Sequence, residues 1–258
     1  TQSKVDVNDY LDFRQRIDEN FKAFVREVRV LAEDMVELTV MAPLAAKQFH
    51  PGQFYRIQNY ERSSAQLQNT LLQMEALAAI GVKREGDGRL SFLIKMQGAS
   101  GQIAARLQPD TRISLMGPTG ARFALDGGEV VMLIGGHLAL AQLLSLAYAN
   151  RLKVKFIYIA THPIPPALLN EVDSLCEEYS EIEDENDLIK VVSSFCAEKS
   201  SLAKQISQVQ VFASSGIIKR VQAARNQELA DCFASSVKYI AAVFGPMQCM
   251  LKGVCAQC

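Results

Sequence analysis

The segment EVVMLIGGHLALAQLLSLAYANR, residues 129–151, decides the fold class. It begins with a continuously apolar run, passes through Gly135 and Gly136, and continues as an apolar stretch long enough for a helix. A strand without alternating polar residues is typical of a parallel sheet that is covered on both faces. The segment therefore predicts a strand, a tight turn and a helix, the first unit of an α/β domain.

The rest of the C-terminal half repeats this order of apolar strand and helix. We predict further buried strands at KVKFIYIAT (153–161), LIKVVSSF (188–195), VQVFASS (209–215) and VKYIAAVF (237–244), with a helix over ALLNEVDSLCEEY (167–179). Ligands of such sheets bind beyond the carboxyl ends of the strands. The candidate ligand-binding residues are therefore Gly135–Leu138, Thr161, Ser214–Gly216 and Phe244–Met247.

The N-terminal half has a different hydrophobic period. The stretch FVREVRVLAEDMVELTV (24–40) alternates apolar and polar residues on both sides of Glu33-Asp34, which predicts two strands joined by a turn. Further strands are predicted at HPGQFYRIQNY, RLSFLIKM and TRISLMG, and a helix near Ser100 within ASGQIAARLQPD. Short strands separated by turn residues favour a small antiparallel β-barrel.

These patterns divide the chain into an antiparallel barrel followed by a parallel α/β domain. We expect an amphipathic helix or linker at 1–23, the barrel at 24–126, a nucleotide-binding-like domain at 127–245 and a cysteine loop at 246–258. The chain starts with Thr1 instead of Met and stops on Cys258, inside a cysteine cluster. We interpret both ends as the boundaries of a fragment and the cysteine loop as truncated.

Composition narrows the classes of function. The net charge of −1 gives no basic surplus for nucleic acid, and no apolar run is long enough for a membrane span. The pattern of six cysteines suits a reducing compartment and a metal site better than a disulfide framework. We therefore expect a cytoplasmic protein.

Three of the cysteines, Cys249, Cys255 and Cys258, lie close together at the end of the chain. Their spacing is one residue longer in the first gap than that of a plant-type [2Fe–2S] loop, and the fourth ligand is missing. Zinc is bound equally well by thiolates, and three unliganded thiols are the remaining alternative. We expect the fourth ligand of a cluster to lie beyond Cys258.

In their order along the chain, five segments resemble the ferredoxin–NADP reductase superfamily. They are PGQF (51–54), GASGQIA (98–104), MGPTG (116–120), VMLIGGHLALA (131–141) and CMLKGVCAQC (249–258). The last resembles the cysteine loop of the dihydroorotate dehydrogenase electron-transfer subunits and of the small subunit of NADH-dependent ferredoxin:NADP oxidoreductase. The resemblance spans residues 24–258 and implies sites for FAD and NAD(P)H.

The resemblance implies that the FAD pyrophosphate lies at Gly98, Ser100, Gly101 and Gln102, where a helix begins. A helix N-terminus with small residues suits an anion, although Ser100 is also a natural N-cap. Members of the superfamily carry an arginine and a hydroxyl residue on the next flavin strand, where this chain has Met74 to Leu77. Arg56 or Arg62 is expected to replace that arginine. Other expected flavin contacts are Tyr55, Tyr60 and Glu75.

The nicotinamide loop departs from the superfamily as well. Relatives have a glycine at the positions of His137 and Ala139, and Gly135 and Gly136 remain. His137 either blocks the site or contacts phosphate, and a packing or surface role is the simpler alternative. Ser214 and Ser215 are expected to contact the dinucleotide at the end of the next strand.

Two functions follow from the resemblance. In the first, electrons pass from NAD(P)H through FAD and a [2Fe–2S] cluster to another oxidoreductase domain or subunit, and no side chain acts as acid or base. In the second, the chain is a degenerate, non-catalytic scaffold that docks a larger oxidoreductase. The altered flavin strand and the loop at His137 favour the second.

Overall fold

The computed structural model describes residues 7–123, 125, 129–150 and 154–243. Two compact units divide between Gly120 and Ala121, and the turn Leu31–Met35 is grouped with the second unit. Residues 126–128, where we expected the domain boundary, lie outside the described residues, and that boundary stays a prediction.

The first unit is built from antiparallel strands. They are β1 Phe24–Ala32, β2 Met35–Met41, β3 Phe54–Asn59, β4 Gln66–Leu67, β5 Thr70–Leu71, β6 Leu77–Arg84, β7 Arg89–Lys95 and β8 Ile113–Thr119. Its helices are α1 Val7–Phe21, α2 Pro43–Gln48 and α3 Gly98–Ala104. Six strands form one sheet in the order β1-β2-β7-β6-β3-β8, while β4 and β5 form a separate hairpin.

The two outer strands of this sheet meet and close it. Phe24 and Arg112 form an antiparallel bridge, and the backbone N–H groups of Val25 and Ile113 donate to Thr111 and Ala23. This short closure shields the start of β1 from pairing with other chains. The predicted antiparallel barrel is confirmed.

The barrel interior is a single apolar cluster formed by alternate residues of the strands. Tyr55, Ile57 and Phe92 are fully buried members, because a period of two sends every second side chain inward. The Tyr55 ring lies 5.7 Å from that of Phe92, edge to face, and 6.4 Å from that of Phe49. This interior leaves the opposite face of each strand for other contacts.

A buried asparagine holds the long connection between β3 and β6. Asn59 is 3% exposed, its side-chain amide donates to Ser64 Oγ and to the Leu72 carbonyl, and its Oδ1 accepts from the Met74 backbone N–H. A short 3-10 helix at Glu61–Ser63 and the β4–β5 hairpin lie in this connection. The backbone of a surface loop is thereby tied to the end of a barrel strand.

The second unit is a parallel sheet with helices between its strands. Its strands are β9 Val130–Gly135, β10 Lys155–Ala160, β11 Cys176–Glu181, β12 Ile206–Phe212 and β13 Lys238–Ala242. Its helices are α4 His137–Asn150, α5 Leu169–Leu175, α6 Leu188–Glu198, α7 Ser200–Ala203 and α8 Ser215–Ala224. The strand order is β11-β10-β9-β12-β13, and the four neighbouring pairs are parallel. The predicted α/β domain is confirmed.

Two segments of this unit were assigned wrongly from sequence. Residues 188–195, predicted as a strand, begin helix α6, whose buried residues Leu188, Val192 and Cys196 repeat every four positions. The end of the predicted helix at 167–179 is instead strand β11, which begins at Cys176. Because β11 is an edge strand with exposed glutamates, it lacks the apolar run by which the other strands were recognised.

Helix α1 lies within the segment 1–23, for which we expected an amphipathic helix or a linker. Val7, Tyr10, Leu11 and Phe13 on it are exposed apolar side chains. Among the described residues, every helix is too short or too polar to span a bilayer.

Candidate functional site

The outer face of the barrel carries a row of residues across three neighbouring strands. Arg56 on β3 pairs with Ala78 on β6, and Ile80 on β6 pairs with Leu93 on β7. Continuing that antiparallel register by two residues brings Ala78 opposite Lys95. We call Arg56, Ala78 and Lys95 the outer row. It lies on the outside because the alternate residues of the same strands fill the interior.

Arg56 is a buried cation without a counter-charge in the described part of the chain. The residue is 5% exposed, and no hydrogen bond or ion pair of its guanidinium is found there. Among the described residues, the fully enclosed polar side-chain atoms that lack a partner belong to Ser91, Gln142, Ser145 and Gln210, so the Arg56 nitrogens keep some access to solvent. Burial of an unpaired charge is unfavourable, and a bound anion would remove that penalty.

Helix α3 begins three residues after Lys95, the last member of the outer row. Gln97 is its N-cap and makes no side-chain capping hydrogen bond, so Ser100 is a residue of the first turn and not the cap. Gly98 has φ +72° and nothing within 4 Å of a Cβ built there, while Gln102 Nε2 donates to the Met96 carbonyl at 2.9 Å. The exposed backbone of Gly98 and Ala99 is therefore available to a ligand.

Gly101 is required by packing. A Cβ at this position would lie 2.6 Å from the Lys95 carbonyl oxygen and 3.1 Å from Met96 Cα. The glycine lets α3 approach the end of β7, which explains the residue without any ligand. A bulky substitution at Gly101 would disturb the helix whether or not a phosphate binds nearby.

The remaining predicted flavin residues lie in different surroundings. Tyr55 belongs to the barrel core, and its hydroxyl donates to the Ala45 carbonyl at 2.8 Å. Burial raises the pKa of Tyr55, and neither ring face is open to a flavin. We therefore assign Tyr55 to the core, which corrects the cofactor role expected from sequence.

Tyr60 and Glu75 are exposed, as a surface contact requires. The Arg112 guanidinium lies 5.5 Å from the centre of the Tyr60 ring. Met74, which we expected from sequence to stand in place of the superfamily arginine, is 1% exposed and packs into the barrel core. This side chain cannot take the place of a phosphate-binding arginine.

The carboxyl ends of the three central strands of the second unit meet at one edge. Gly135 pairs with Ala160 of β10 on one side and with Phe212 of β12 on the other. Its φ is +146°, and a Cβ there would lie 2.1 Å from the Phe212 carbonyl oxygen, so only glycine fits. The segments at 136–137, 161–162 and 213–214 therefore emerge side by side.

Tyr158 stabilises the glycine turn through hydrogen bonds to its backbone. Its hydroxyl donates to the carbonyl oxygens of Gly135 and Gly136, at 3.1 and 3.2 Å. Burial raises the pKa of Tyr158, so its hydroxyl keeps the proton that these two hydrogen bonds share. The turn is thus fixed by a side chain of the neighbouring strand.

Two histidines lie together beside this turn. The His137 and His162 rings are 5.3 Å apart, and His162 Nδ1 lies 3.2 Å from Thr161 Oγ1. A Cβ built on Gly136 would come within 2.6 Å of His162 Nδ1, so the imidazole packs against the Gly136 backbone. His162 was not identified from sequence, although its place directly after a buried strand was a usable signal.

The two predicted serines lie at the same edge as the glycine turn. Ser214 is the N-cap of α8, where its Oγ accepts a 3.4 Å hydrogen bond from the Ile217 backbone N–H. Ser215 begins the helix and is exposed. The structure therefore brings Gly135, Gly136, His137, Ser214 and Ser215 to one end of the sheet, as expected for residues that follow neighbouring parallel strands.

The three cysteines of the predicted cluster, Cys249, Cys255 and Cys258, lie outside the described residues. Within them, no three histidine, cysteine or acidic side chains are grouped so that they could hold a metal ion. Cys176, Cys196 and Cys232 are free thiols there. Burial raises the pKa of Cys176 and of Cys196 to about 12, which disfavours the thiolate that a metal ion requires.

Solved structures share the architecture of both units. A NADH-dependent reduced ferredoxin–NADP oxidoreductase studied for flavin-based electron bifurcation is similar over 90% of this chain and 80% of its own, with a TM-score of 0.67 and 14% identity. A ferredoxin NADP⁺ reductase from Neisseria gonorrhoeae, with bound FAD and NADP, covers 86% of this chain and 97% of its own, with a TM-score of 0.59 and 15% identity. The chain has the fold of the ferredoxin–NADP reductase superfamily.

Sequence relatives of this chain include longer proteins. The uncharacterized protein RP006 of Rickettsia prowazekii is 26% identical over 250 residues, which cover 96% of this chain but 29% of that protein. The electron transfer subunit of dihydroorotate dehydrogenase B from Geobacillus thermodenitrificans is 31% identical over 128 residues, 48% of this chain and 47% of that subunit. The chain thus spans under a third of one relative and about half of the other. No family model matches it.

Proposed function

We propose that this chain is the flavin- and nicotinamide-binding module of an electron-transfer oxidoreductase. In this proposal it takes electrons from NAD(P)H and delivers them to another oxidoreductase domain or subunit. The observation that carries the proposal is Arg56, a buried guanidinium without a counter-charge among the described residues, on the barrel face that leads to the open start of α3. The diphosphate of FAD carries the negative charge that would pair with the Arg56 guanidinium.

The outer row gives each residue a distinct part in holding FAD. Arg56 and Lys95 supply positive charge, and the backbone N–H groups at Gly98 and Ala99 supply donors for phosphate oxygens. Ala78, between the two cations, leaves room above the sheet. When bound, the flavin accepts a hydride and releases single electrons, which is chemistry that no side chain here has to supply.

The edge formed by Gly135, Gly136, His137, Ser214 and Ser215 is the proposed place for NAD(P)H. It lies at the carboxyl ends of parallel strands, where dinucleotides bind in sheets of this kind. The N-terminus of α4, a helix of 14 residues, adds a favourable dipole at His137.

The proposed module also includes a metal site, a cellular location and a partner. Cys249, Cys255 and Cys258 are proposed ligands of a [2Fe–2S] cluster in the intact protein, where another residue completes the set. The free thiols of Cys176, Cys196 and Cys232 support a reducing, cytoplasmic location. A sequence relative that is named as an electron transfer subunit supports a partner subunit or domain for this chain.

The test of flavin binding is a substitution in the outer row. We expect Arg56→Gln to raise the dissociation constant for FAD by roughly ten- to a hundredfold, the effect of losing one charged hydrogen bond. Arg84→Gln, an exposed arginine at the end of β6, is the matched control and should bind FAD like the parent protein. Fluorescence titration of flavin-free protein measures both, with thermal unfolding as a check of the fold.

A second function, a non-catalytic scaffold, is favoured by one observation. Met74, which the sequence resemblance aligns with the superfamily arginine, is buried in the barrel core, where its side chain cannot supply a phosphate contact. If the purified full-length protein is colourless and does not bind FAD, the scaffold replaces the reductase module as the proposed function. If the protein is yellow and Arg56→Gln leaves its flavin content unchanged, FAD binds but its phosphates do not contact Arg56.

A further inference from the structure

The space freed by the missing side chain of Gly136 is filled from within the chain. A Cβ at Gly136 would lie 2.6 Å from His162 Nδ1, 3.2 Å from Cγ and 3.3 Å from Cε1. In a dinucleotide-binding turn, glycine lets a phosphate group approach the backbone closely. In this chain the group that approaches the Gly136 backbone is the imidazole of His162.

The imidazole is held by weak and local contacts. Its Nδ1 lies 3.2 Å from the Thr161 hydroxyl, and its ring is tilted by 50° against that of His137. His162 itself is exposed, whereas Thr161 is 7% exposed. Within the described part of the chain, this exposed side chain makes one hydrogen bond and one ring contact, so it can rotate away without disturbing the sheet.

We propose that His162 is an internal cover over Gly136, and that a nicotinamide dinucleotide binds at this edge only after the imidazole has moved away. The inference rests on the proposed function, since it assigns NAD(P)H to the same edge. It adds a residue that opposes binding. Access to the turn is an equilibrium between a covered and an uncovered state, and only the uncovered state binds the ligand.

The apparent affinity for the dinucleotide equals the intrinsic affinity multiplied by the fraction of molecules in which the cover is open. The contact between Thr161 and His162 is a single, partly buried hydrogen bond of 3.2 Å, so we expect the closed state to dominate by roughly tenfold. His162→Ala should therefore bind NADH or NADPH about tenfold more tightly than the parent protein. Thr161→Val removes only the hydrogen bond and should have a smaller effect in the same direction.

Calorimetric titration with NADH and with NADPH tests the inference. His50→Ala, a histidine of the barrel whose Nδ1 lies 2.9 Å from the Gln48 carbonyl, is the matched control and should leave the affinity unchanged. Thermal unfolding of each variant confirms that the fold is retained. Tighter binding by His162→Ala than by the parent and the control is the expected result.

The other outcomes separate the inference from the proposed function. Equal or weaker binding by His162→Ala, with clear binding by the parent protein, overturns the cover and leaves the nicotinamide site in place. Binding of neither nucleotide by any variant overturns the cover together with the nicotinamide part of the proposed function. Binding that appears only in His162→Ala supports both.

Discussion

Gly135 and Gly136 are glycines for two different physical reasons. Gly135 has a backbone conformation that L-residues rarely adopt and lies against the Phe212 carbonyl. Gly136 has no such backbone constraint, and the three atoms nearest to a Cβ built there all belong to the His162 imidazole. The constraint on Gly135 comes from the backbone conformation, whereas that on Gly136 comes from a neighbouring side chain. A substitution of His162 can therefore relieve the constraint on Gly136 but not that on Gly135.

This difference gives a test by stability. We expect Gly136→Ala to lower the free energy of unfolding by about 1–3 kcal/mol, the usual cost of overpacking. In the His162→Ala background the same change should cost under about 1 kcal/mol, because the methyl group then has room. Gly86→Ala, with nothing within 4 Å of its Cβ, is the control and should change stability by less than about 0.5 kcal/mol.

Urea denaturation of the four members of this cycle measures the coupling. Equal costs of Gly136→Ala in both backgrounds would mean that the imidazole does not pack against the turn. Because no nucleotide is present, this experiment examines the contact independently of any bound ligand.

Single residues were predicted unevenly from sequence. Gly135, Gly136 and Ser214 were identified because they follow apolar strands, and position in a parallel sheet is readable from pattern. The burial of Arg56 and the packing of His162 were not, because both depend on which residues the sheet register places next to them. Tyr55 was misassigned, although its alternation with Arg56 places it on the same strand face as the core residue Ile57.

At the scale of elements, the connection between β3 and β6 depends on one buried side chain. Asn59 hydrogen-bonds Ser64, Leu72 and Met74, so it fixes the loop that precedes β6 and the outer row. We expect Asn59→Ala to lower the free energy of unfolding by about 2–3 kcal/mol, because buried groups lose their partners.

The exposed Asn69, in the turn between β4 and β5, provides the comparison for Asn59. Asn69→Ala should change the free energy of unfolding by less than about 0.5 kcal/mol in the same denaturation experiment. Similar costs for the two variants would show that the loop is held by other contacts.

Most strands and helices followed from hydrophobic period, and the exceptions have a common cause. Period-two alternation located β1 and β2, and apolar runs located β9, β10 and β12. The run of β-branched residues at Val191 and Val192 suggested a strand, although the four-residue spacing of buried positions makes it helix α6. Strand β11 is stabilised by pairing with β10 and not by its own composition, which no local pattern reveals.

For the whole molecule, the order of a barrel and then a parallel sheet was predictable because the two halves differ in hydrophobic period.

The proposed role of the cysteine loop is tested by the metal that the whole protein binds. We expect iron and acid-labile sulfide in the full-length polypeptide purified without oxygen, and their loss in Cys255→Ser. Cys232→Ser should retain both. Zinc, or neither metal, in the parent protein would contradict the cluster.

The bridge between Phe24 and Arg112 also sets an order of events during synthesis. Strand β1 leaves the ribosome first, but its second neighbour belongs to the last part of the barrel to be made. Until then β1 has an unpaired edge, and pairings between distant residues form slowly. Translation at about 5–20 residues per second therefore leaves this edge open for several seconds on each new chain. Pauses within that interval would favour association between nascent chains, and the barrel is protected only once β8 has emerged.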